Sequence, residues 1–346
     1  MLWVDLTKGT WWTEETNDYK EFIGGRGVGS WLVFREVPPY ADPLGPENII
    51  TFDSGPLSGT LAPCSGRLNI STKNVITGGI SFSNAGGHFT PQMKYAGFDH
   101  IVVKGKAKRP VYLLVKNSSV EIRDAGHLWG KDVWETEEAI KKELNDQSVH
   151  VAAIGQAGEN LAKIACVIVD RGRAAAWGGS GAVMGSKFLK AVVVSGNTPL
   201  QLADPPHFFE AVQRIWSKMD TAPQIKLWRK YGTFGTSGAG GITGDSPQSV
   251  RNISEEVWTP EKAQRIREVV FREKWETRRL ACFSCPAYCS HFYHVKDGKY
   301  QGLMLEGIQS NTVRAFGSNL DVSDPEQILK ANELANRFGI DTDEAS

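Results

Sequence analysis

The 346-residue chain has no surplus of charge of either sign, with 39 lysines and arginines against 39 aspartates and glutamates. Such a balance advertises neither a polyanion nor an acidic membrane face as a partner, so nucleic-acid and membrane binding are not expected. Long apolar runs are missing as well, and no stretch approaches the roughly 20 residues that cross a bilayer. The opening Met-Leu-Trp-Val-Asp-Leu-Thr-Lys has no basic segment followed by an apolar one, so no signal peptide is read there. Cysteine is scarce and odd in number, five in all, which excludes a disulfide framework. Internal repeats and low-complexity tracts are absent too. Together these absences predict a cytoplasmic protein in a reducing compartment, and the length predicts about two domains.

What is present is concentrated. Cys282, Cys285 and Cys289 form a C-x2-C-x3-C run within Ala-Cys-Phe-Ser-Cys-Pro-Ala-Tyr-Cys. Thiolates this close repel one another and oxidise unless a metal holds them. Three soft donors on one short loop, with Pro286 after the second, suit an iron–sulfur cluster that takes a fourth ligand from elsewhere. The spacing is not the paired C-x2-C of a zinc ribbon. Two other readings stay open: a zinc site completed by His291 or His294, and reduced structural thiols. Cys166, in the apolar run Ile-Ala-Cys-Val-Ile-Val, reads as a buried inert thiol.

The chain changes character near residue 200. Before it, β-rich runs alternate with glycine turns at Leu2–Leu6, Asn48–Phe52, Arg67–Thr72, His100–Val103, Val111–Val115, His150–Ile154 and Ala191–Ser195. Helical stretches interrupt them at Ser30–Arg35 and Val133–Leu144. After Pro205 the pattern turns helical, with Phe208–Met219, Ala263–Lys274 and Ile328–Phe338. A capping box, Ser323-Asp-Pro-Glu326, opens the last of these. The expectation is an α+β protein with a β-rich part over 1–200 and a mostly helical part over 201–346. Residues 232–247, dense in Gly, Ser and Thr, are a candidate loop or lid that contributes to substrate selection.

Three glycine-rich segments bear on ligands. Gly24-Gly-Arg-Gly-Val-Gly29 lacks the preceding strand and the later acidic partner of a dinucleotide site, so it reads as a tight turn opening a helix. The second is Ser83-Asn84-Ala85-Gly86-Gly87-His88, and the third runs from Asp170 through Arg173 and Gly181 to Lys187. In both, backbone N–H groups can converge on an anion, and arginine adds charge-assisted donors. Two such loops suit a ligand with more than one phosphate. Each alone also fits plain turn chemistry.

Taken together, Gly55-Pro-Leu-Ser-Gly-Thr, Ser65-Gly-Arg67-Leu-Asn69, Ser83-Asn84-Ala-Gly-Gly, Gln92-Met-Lys-Tyr-Ala-Gly97 and Gly155-Gln-Ala-Gly-Glu-Asn160 resemble the aldehyde:ferredoxin oxidoreductase family. Gly181-Ala-Val-Met-Gly-Ser-Lys187 and the cysteine loop extend the match in order along the chain. The resemblance implies a tungsten or molybdenum bis-molybdopterin cofactor, one [4Fe–4S] cluster and a magnesium ion. It implies a β-sheet base under the two pterins, with mostly helical domains closing over it. On the family pattern Asn84 is a side-chain ligand of magnesium and Ala174 a backbone carbonyl ligand. Arg67, Arg173 and the flanking Ala85, Gly86, Gly87 and Ala175 lie against the cofactor, while Cys282, Cys285 and Cys289 hold the cluster. Asn336-Arg-Phe-Gly339-Ile340-Asp341 resembles the family's D-x-x-G-L-D pterin motif, with Asn336 and Ile340 as departures. Taken alone, the same run reads as a helix end terminated by Gly339.

The resemblance also implies what lies outside the chain. The expectation is an N-terminal portion, with a second pterin motif and the fourth cluster cysteine in a continuation. The family's catalytic glutamate aligns with Asn311, and Glu306 is the nearest carboxylate, so both are candidate catalytic positions. The implied partners are a small aldehyde and ferredoxin or a similar carrier, and homo- or hetero-oligomers are compatible. Two readings from other classes stand beside this one: an α/β enzyme for a phosphate-bearing ligand with a structural zinc, and a non-catalytic iron–sulfur electron-transfer subunit.

Overall fold

The computed structural model describes residues 1–233, 250–255 and 258–346. Apart from Gly232 and Thr233, the Gly/Ser/Thr-rich segment expected as a lid lies outside the described residues. The chain divides into two compact units. The first comprises 1–203 with 282–284 and 336–341, and the second comprises 204–281, 285–335 and 342–346.

Six strands form the first sheet of the first unit: β1 (Leu2–Asp5), β2 (Thr10–Thr13), β3 (Ile50–Asp53), β4 (Leu68–Lys73), β5 (Ile80–Ala85) and β6 (His100–Lys104). Their order is β2-β1-β6-β3-β4-β5, parallel between β1 and β6 and antiparallel elsewhere. The second sheet contains β7 (Val111–Lys116), β8 (Ser119–Asp124), β9 (His150–Ala153), β10 (Val167–Val169), β11 (Arg173–Ala175) and β12 (Leu189–Ser195), in the order β11-β10-β9-β12-β7-β8. Five helices accompany them: α1 (Arg26–Glu36), α2 (Phe89–Tyr95), α3 (Val133–Glu143), α4 (Gln156–Glu159) and α5 (Ser180–Ser186).

The central strands are largely buried, and each face has its own cover, with polar Thr51, Asp53, Asn69 and Ser71 on the α1 side of β3 and β4. Leu2, Phe52 and Ile70 of the first sheet share a core with Leu113, Val167 and Val192 of the second, with Phe89 and Met93 of α2 and Val183 of α5 in the same cluster. The reverse face of the first sheet meets α1 through Trp3, Val102, Val28 and Leu32. The reverse face of the second sheet meets α3 through Tyr112, Val151, Val133 and Ile140. A capping box starts α3: Asp132 accepts from Glu135 N at 2.9 Å while Glu135 accepts from Asp132 N at 3.1 Å.

Not every glycine expected at an anion is available to one. A Cβ on Gly158 would stand 2.8 Å from Gly181 O, and one on Gly185 would collide with Gly158 O. These residues let α4 and α5 approach backbone to backbone, so the far end of the third glycine segment is used for packing rather than for a ligand. Gly24 and Gly25, both at positive φ, form the turn before α1.

The second unit contains helices at Pro205–Thr221, Pro223–Tyr231, Pro260–Arg265, Glu268–Trp275 and Ser310–Phe316, and the greater part of Pro325–Phe338. It also has a three-stranded sheet, β13 (Glu276–Leu280), β14 (Ser290–His294) and β15 (Met304–Glu306), that the helical pattern did not announce. The helix expected over Ala263–Lys274 is two helices, because Arg267 is extended (φ −67°, ψ 152°) next to the fully buried Ile266. At Pro325–Phe338 the N-terminal acceptor is Asp324, bonded to Glu326 N at 3.0 Å, and not the expected Ser323. No helix among the described residues is long and apolar enough to cross a membrane.

Lys187, at the end of α5, is wholly buried and donates to Asn48 O (2.5 Å) and Gly105 O (3.1 Å). Burial, with the charge of Lys106 adding to it, pushes this amine down to about 7. A folded-state value below the ordinary 10.5 means that the unfolded chain binds more protons between these two values. Stability therefore rises as pH climbs through that window, and the penalty is fully present below it. The expected outcome is a urea midpoint that increases from about pH 7 to about pH 9.5, and a smaller increase in Lys187→Met, measured by circular dichroism.

Candidate functional site

The β4–β5 hairpin places the first set of candidates side by side. Its register pairs Leu68 with Ala85 and Asn69 with Asn84, so Arg67 and the Gly86-Gly87 turn leave the sheet together. Arg67 is exposed and Asn84 half-buried. A Cβ on Gly86 would lie 2.5 Å from Cys282 Sγ, 3.4 Å from Arg173 Nη1 and 3.8 Å from Arg67 Nη1. Two arginines and a cysteine sulfur thus converge on bare backbone. Arg173 Nη1 donates to Cys282 Sγ at 3.0 Å, a charge-assisted contact suited to a sulfur that ligates iron.

Phe283 explains how this part of the cysteine loop is anchored, and sequence reasoning missed it. Its N–H donates to Gly87 O at 3.1 Å, and Ser284 O accepts from Cys64 N at 2.7 Å. Its ring meets the edges of His88 and Tyr95 at 6.2 and 6.4 Å. The only signal was an aromatic residue between two ligand-type cysteines, which a half-buried anchor makes intelligible. His88 stacks on His150 at 5.9 Å, and His150 Nδ1 contacts Asp170 at 2.7 Å. Burial, then the charges of His150 and Arg173, hold His88 below the usual imidazole range.

The remaining cofactor candidates meet around β10, β11 and the Trp177 loop. Ala174 lies in β11, opposite Ile168 of β10. Ile340 bridges Ala165 just before β10, Cys166 N donates to Gly339 O at 2.9 Å, and Asp341 N donates to Ile164 O at 2.9 Å. Asp341 then accepts from Trp177 N at 2.7 Å, while Ser83 Oγ donates to Trp177 O at 2.8 Å. The neighbour of Asn84 and the motif aspartate therefore hold the carbonyl and the N–H of one residue, Trp177, in the loop that follows β11. Trp177 itself has φ +79° and a 72% exposed side chain. Asn336 is buried, and Gly339 (φ +72°) ends the helix, so helix terminator and motif residue are one and the same.

Other candidates belong to the second unit. Cys285 and Cys289 are half-buried, and none of the five cysteines is in a disulfide. Arg229 Nε donates to Pro286 O at 2.8 Å and its guanidinium covers the Tyr288 ring. His291 is buried and engaged with Glu276 at 2.8 Å, and burial outweighs that carboxylate in lowering its pKa. Glu306 accepts from Ser290 Oγ at 2.7 Å. Asn311 is exposed and donates to Asp343 at 3.1 Å. Among the described residues, no three His, Cys, Asp or Glu side chains converge as a metal-holding group.

The first unit's donors fit the groups the family pattern implies. An amide and a backbone carbonyl are hard oxygen donors suited to magnesium, and guanidinium groups beside glycine backbone suit phosphates and anionic pterin edges. Two structural details agree. The space at Gly86 is one that a single Cβ would fill, and Asn69 Oδ1, opposite Asn84, is buried with no hydrogen-bond partner. Gly86→Ala is expected to displace Cys282 and to lower stability by about 1–3 kcal/mol through overpacking. Urea melts and the alkylation rate of Cys282 measure the two effects.

Comparison with known proteins places this geometry. The family model for the aldehyde ferredoxin oxidoreductase N-terminal domain matches residues 1–196, and that for domains 2 and 3 matches residues 210–346. The tungsten-containing aldehyde ferredoxin oxidoreductase of Thermococcus kodakarensis is 40% identical over 345 residues, which is 99% of this chain and 56% of that protein. Its Pyrococcus furiosus counterpart is 39% identical over 343 residues, 98% of this chain and 55% of that protein. The solved structure of the active site complex BamBC of benzoyl coenzyme A reductase, in complex with 1,5-dienoyl-CoA, superposes with a TM-score of 0.81 at 32% identity, covering 99% of this chain and 53% of that one. The chain thus spans about half the length of the curated relatives it matches. With both family models matched in order and nearly every residue aligned, the chain belongs to the aldehyde ferredoxin oxidoreductase family.

Proposed function

We propose that this chain is the cofactor-gripping part of a tungsten- or molybdenum-dependent oxidoreductase that converts an aldehyde to a carboxylate. The observation that carries the proposal is the convergence of Arg67, Gly86, Arg173 and Cys282, next to a loop held jointly by Ser83 and Asp341. When bound, a bis-pterin metal centre supplies the two-electron oxidation of the aldehyde with oxygen from water, and a [4Fe–4S] cluster supplies single-electron transfer to a ferredoxin-type carrier.

The chain's own residues have separable tasks. Arg67 and Arg173 neutralise anionic cofactor groups, and Arg173 also donates toward the cluster through Cys282. Asn84 and the Ala174 carbonyl would hold magnesium, a hard cation that would offset phosphate charge, and Ala85, Gly86, Gly87 and Ala175 would line the same wall. Asp341 fixes the loop after Ala174, and Asn336 and Ile340 complete the pterin motif, where the Asn336 amide replaces a charged acceptor with a neutral one. Cys285 and Cys289 complete the chain's share of the cluster ligands. Metal-bound thiolates and this cofactor both require a reducing compartment, which favours the cytoplasm.

A second reading has one observation behind it. Asn311, at the family's glutamate position, carries no carboxylate and faces Asp343 at the surface. The same β-sheet base can then serve a reductase, like the benzoyl coenzyme A reductase of the structural neighbour, with Glu306 as the nearest carboxylate.

Metal analysis of the full-length protein purified without oxygen tests the proposal. Tungsten or molybdenum with about four irons per chain is expected, and Cys285→Ser is expected to lose most of that iron. Zinc with neither metal would instead support a phosphate-ligand enzyme with a structural zinc. Iron without pterin would support an electron-transfer subunit. Aldehyde-dependent reduction of a viologen dye, absent with a thioester substrate, separates the oxidase from the reductase reading.

A further inference from the structure

Beneath the hairpin that carries Asn84 lies a polar cluster buried against α1. Asp53 is wholly buried and accepts from Thr51 Oγ1 at 2.6 Å and Asn69 Nδ2 at 3.0 Å, with His100 Nδ1 at 2.9 Å. Asn69 Nδ2 also donates to Ser71 Oγ at 2.9 Å. Both amide hydrogens of Asn69 are thereby used, which fixes the orientation of its carboxamide and leaves Oδ1 as its remaining group. That oxygen has no hydrogen-bond partner, although Asn69 is only 4% exposed. Buried acceptors are rarely left so in a finished site.

The residue directly opposite in the antiparallel register is Asn84, and side chains paired this way stand on the same face within reach of each other. If the Asn84 carbonyl turns to a hard cation, its amide becomes a donor that needs an acceptor. We propose that Asn69, held by Asp53 and Ser71, is the positioning residue that accepts this amide hydrogen and aims the Asn84 oxygen at the divalent cation. The inference rests on the assignment of Asn84 as a cation ligand. Its physical logic is that of an outer partner fixing the rotamer of a ligand, with Asp53 as the anchor beyond it. A purely structural role would need the two bonds to Asp53 and Ser71 and nothing from Oδ1.

The test uses full-length protein purified with its cofactor, as wild type, Asn69→Thr, Asn84→Ala and the double variant. Threonine keeps a hydroxyl donor for Asp53 and suits a strand, but its single oxygen, one bond nearer the backbone and turned to Asp53, does not reproduce the carboxamide acceptor offered to residue 84. Magnesium retained per chain is followed by mass spectrometry across a series of EDTA concentrations, with pterin release followed by fluorescence and melting temperature recorded alongside. Asn69→Thr is expected to release magnesium at an EDTA concentration about tenfold lower than wild type, in line with outer-partner losses elsewhere, at an unchanged melting temperature of the stripped protein. The double variant is expected to be no worse than Asn84→Ala. Wild-type retention by Asn69→Thr, with loss in Asn84→Ala, overturns the role of Asn69 alone. Retention in Asn84→Ala overturns the ligand assignment beneath it. Should Asn69→Thr yield no soluble protein, Ser71→Ala removes one of the two orienting acceptors, and unchanged magnesium retention there also counts against the proposal.

Discussion

A guanidinium donating to a cysteine sulfur over bare glycine backbone is the contact on which the first unit's site depends. Arg173 reaches Cys282 Sγ only because Gly86 presents no side chain between them. The same arginine sits at the start of β11, one residue before the Ala174 carbonyl assigned to magnesium. A single strand therefore meets a cysteine sulfur through Arg173 and carries at the next residue the carbonyl proposed above to hold a cation. Charge-assisted contacts of this kind are strong and directional, so the proposed cofactor and cluster groups would share one rigid reference point.

That reference point is rigid because of what lies behind it. The central strands of both sheets in the first unit have cover on each face, and sites built on such strands hold geometry better than sites on loops. Cations in the interior are tied into the same frame. Lys190 is fully buried against Glu159 at 2.5 Å and the Lys131 carbonyl at 2.7 Å, and Lys187 joins α5 to the loops around Asn48 and Gly105. Buried charges of this kind stabilise only when fully paired or neutral, which ties them to one arrangement of strands. Other groups of the same region, by contrast, stay at the edge: Arg67 is exposed and the Trp177 side chain is 72% exposed.

Much of this was legible in the sequence. Alternating and continuous apolar runs located seven of the first unit's strands to within a few residues, since two-sided burial leaves an unmistakable composition. The third sheet was not legible, because β13 is Glu-Thr-Arg-Arg-Leu and largely exposed, with no face to bury. The break between Pro260–Arg265 and Glu268–Trp275 escaped as well, since Ile266 continues the helical pattern while its burial requires the chain to turn. Glycine roles were only half readable. Nothing in the letters distinguishes Gly86, facing a sulfur, from Gly185, facing another backbone.

Residue identity and order alone determined the family resemblance, the α+β class and the types of donor present: thiols, guanidinium groups, an amide and a motif aspartate. These follow from covalent chemistry and the succession of motifs, which a sequence states outright. Which donors meet was decided by tertiary structure alone. Ile340 and Ala165, Trp177 and Asp341, Cys282 and Arg173 are separated by more than a hundred residues in the chain. They become neighbours only because two stacked sheets and close backbone packing leave those segments one way to satisfy their hydrogen bonds.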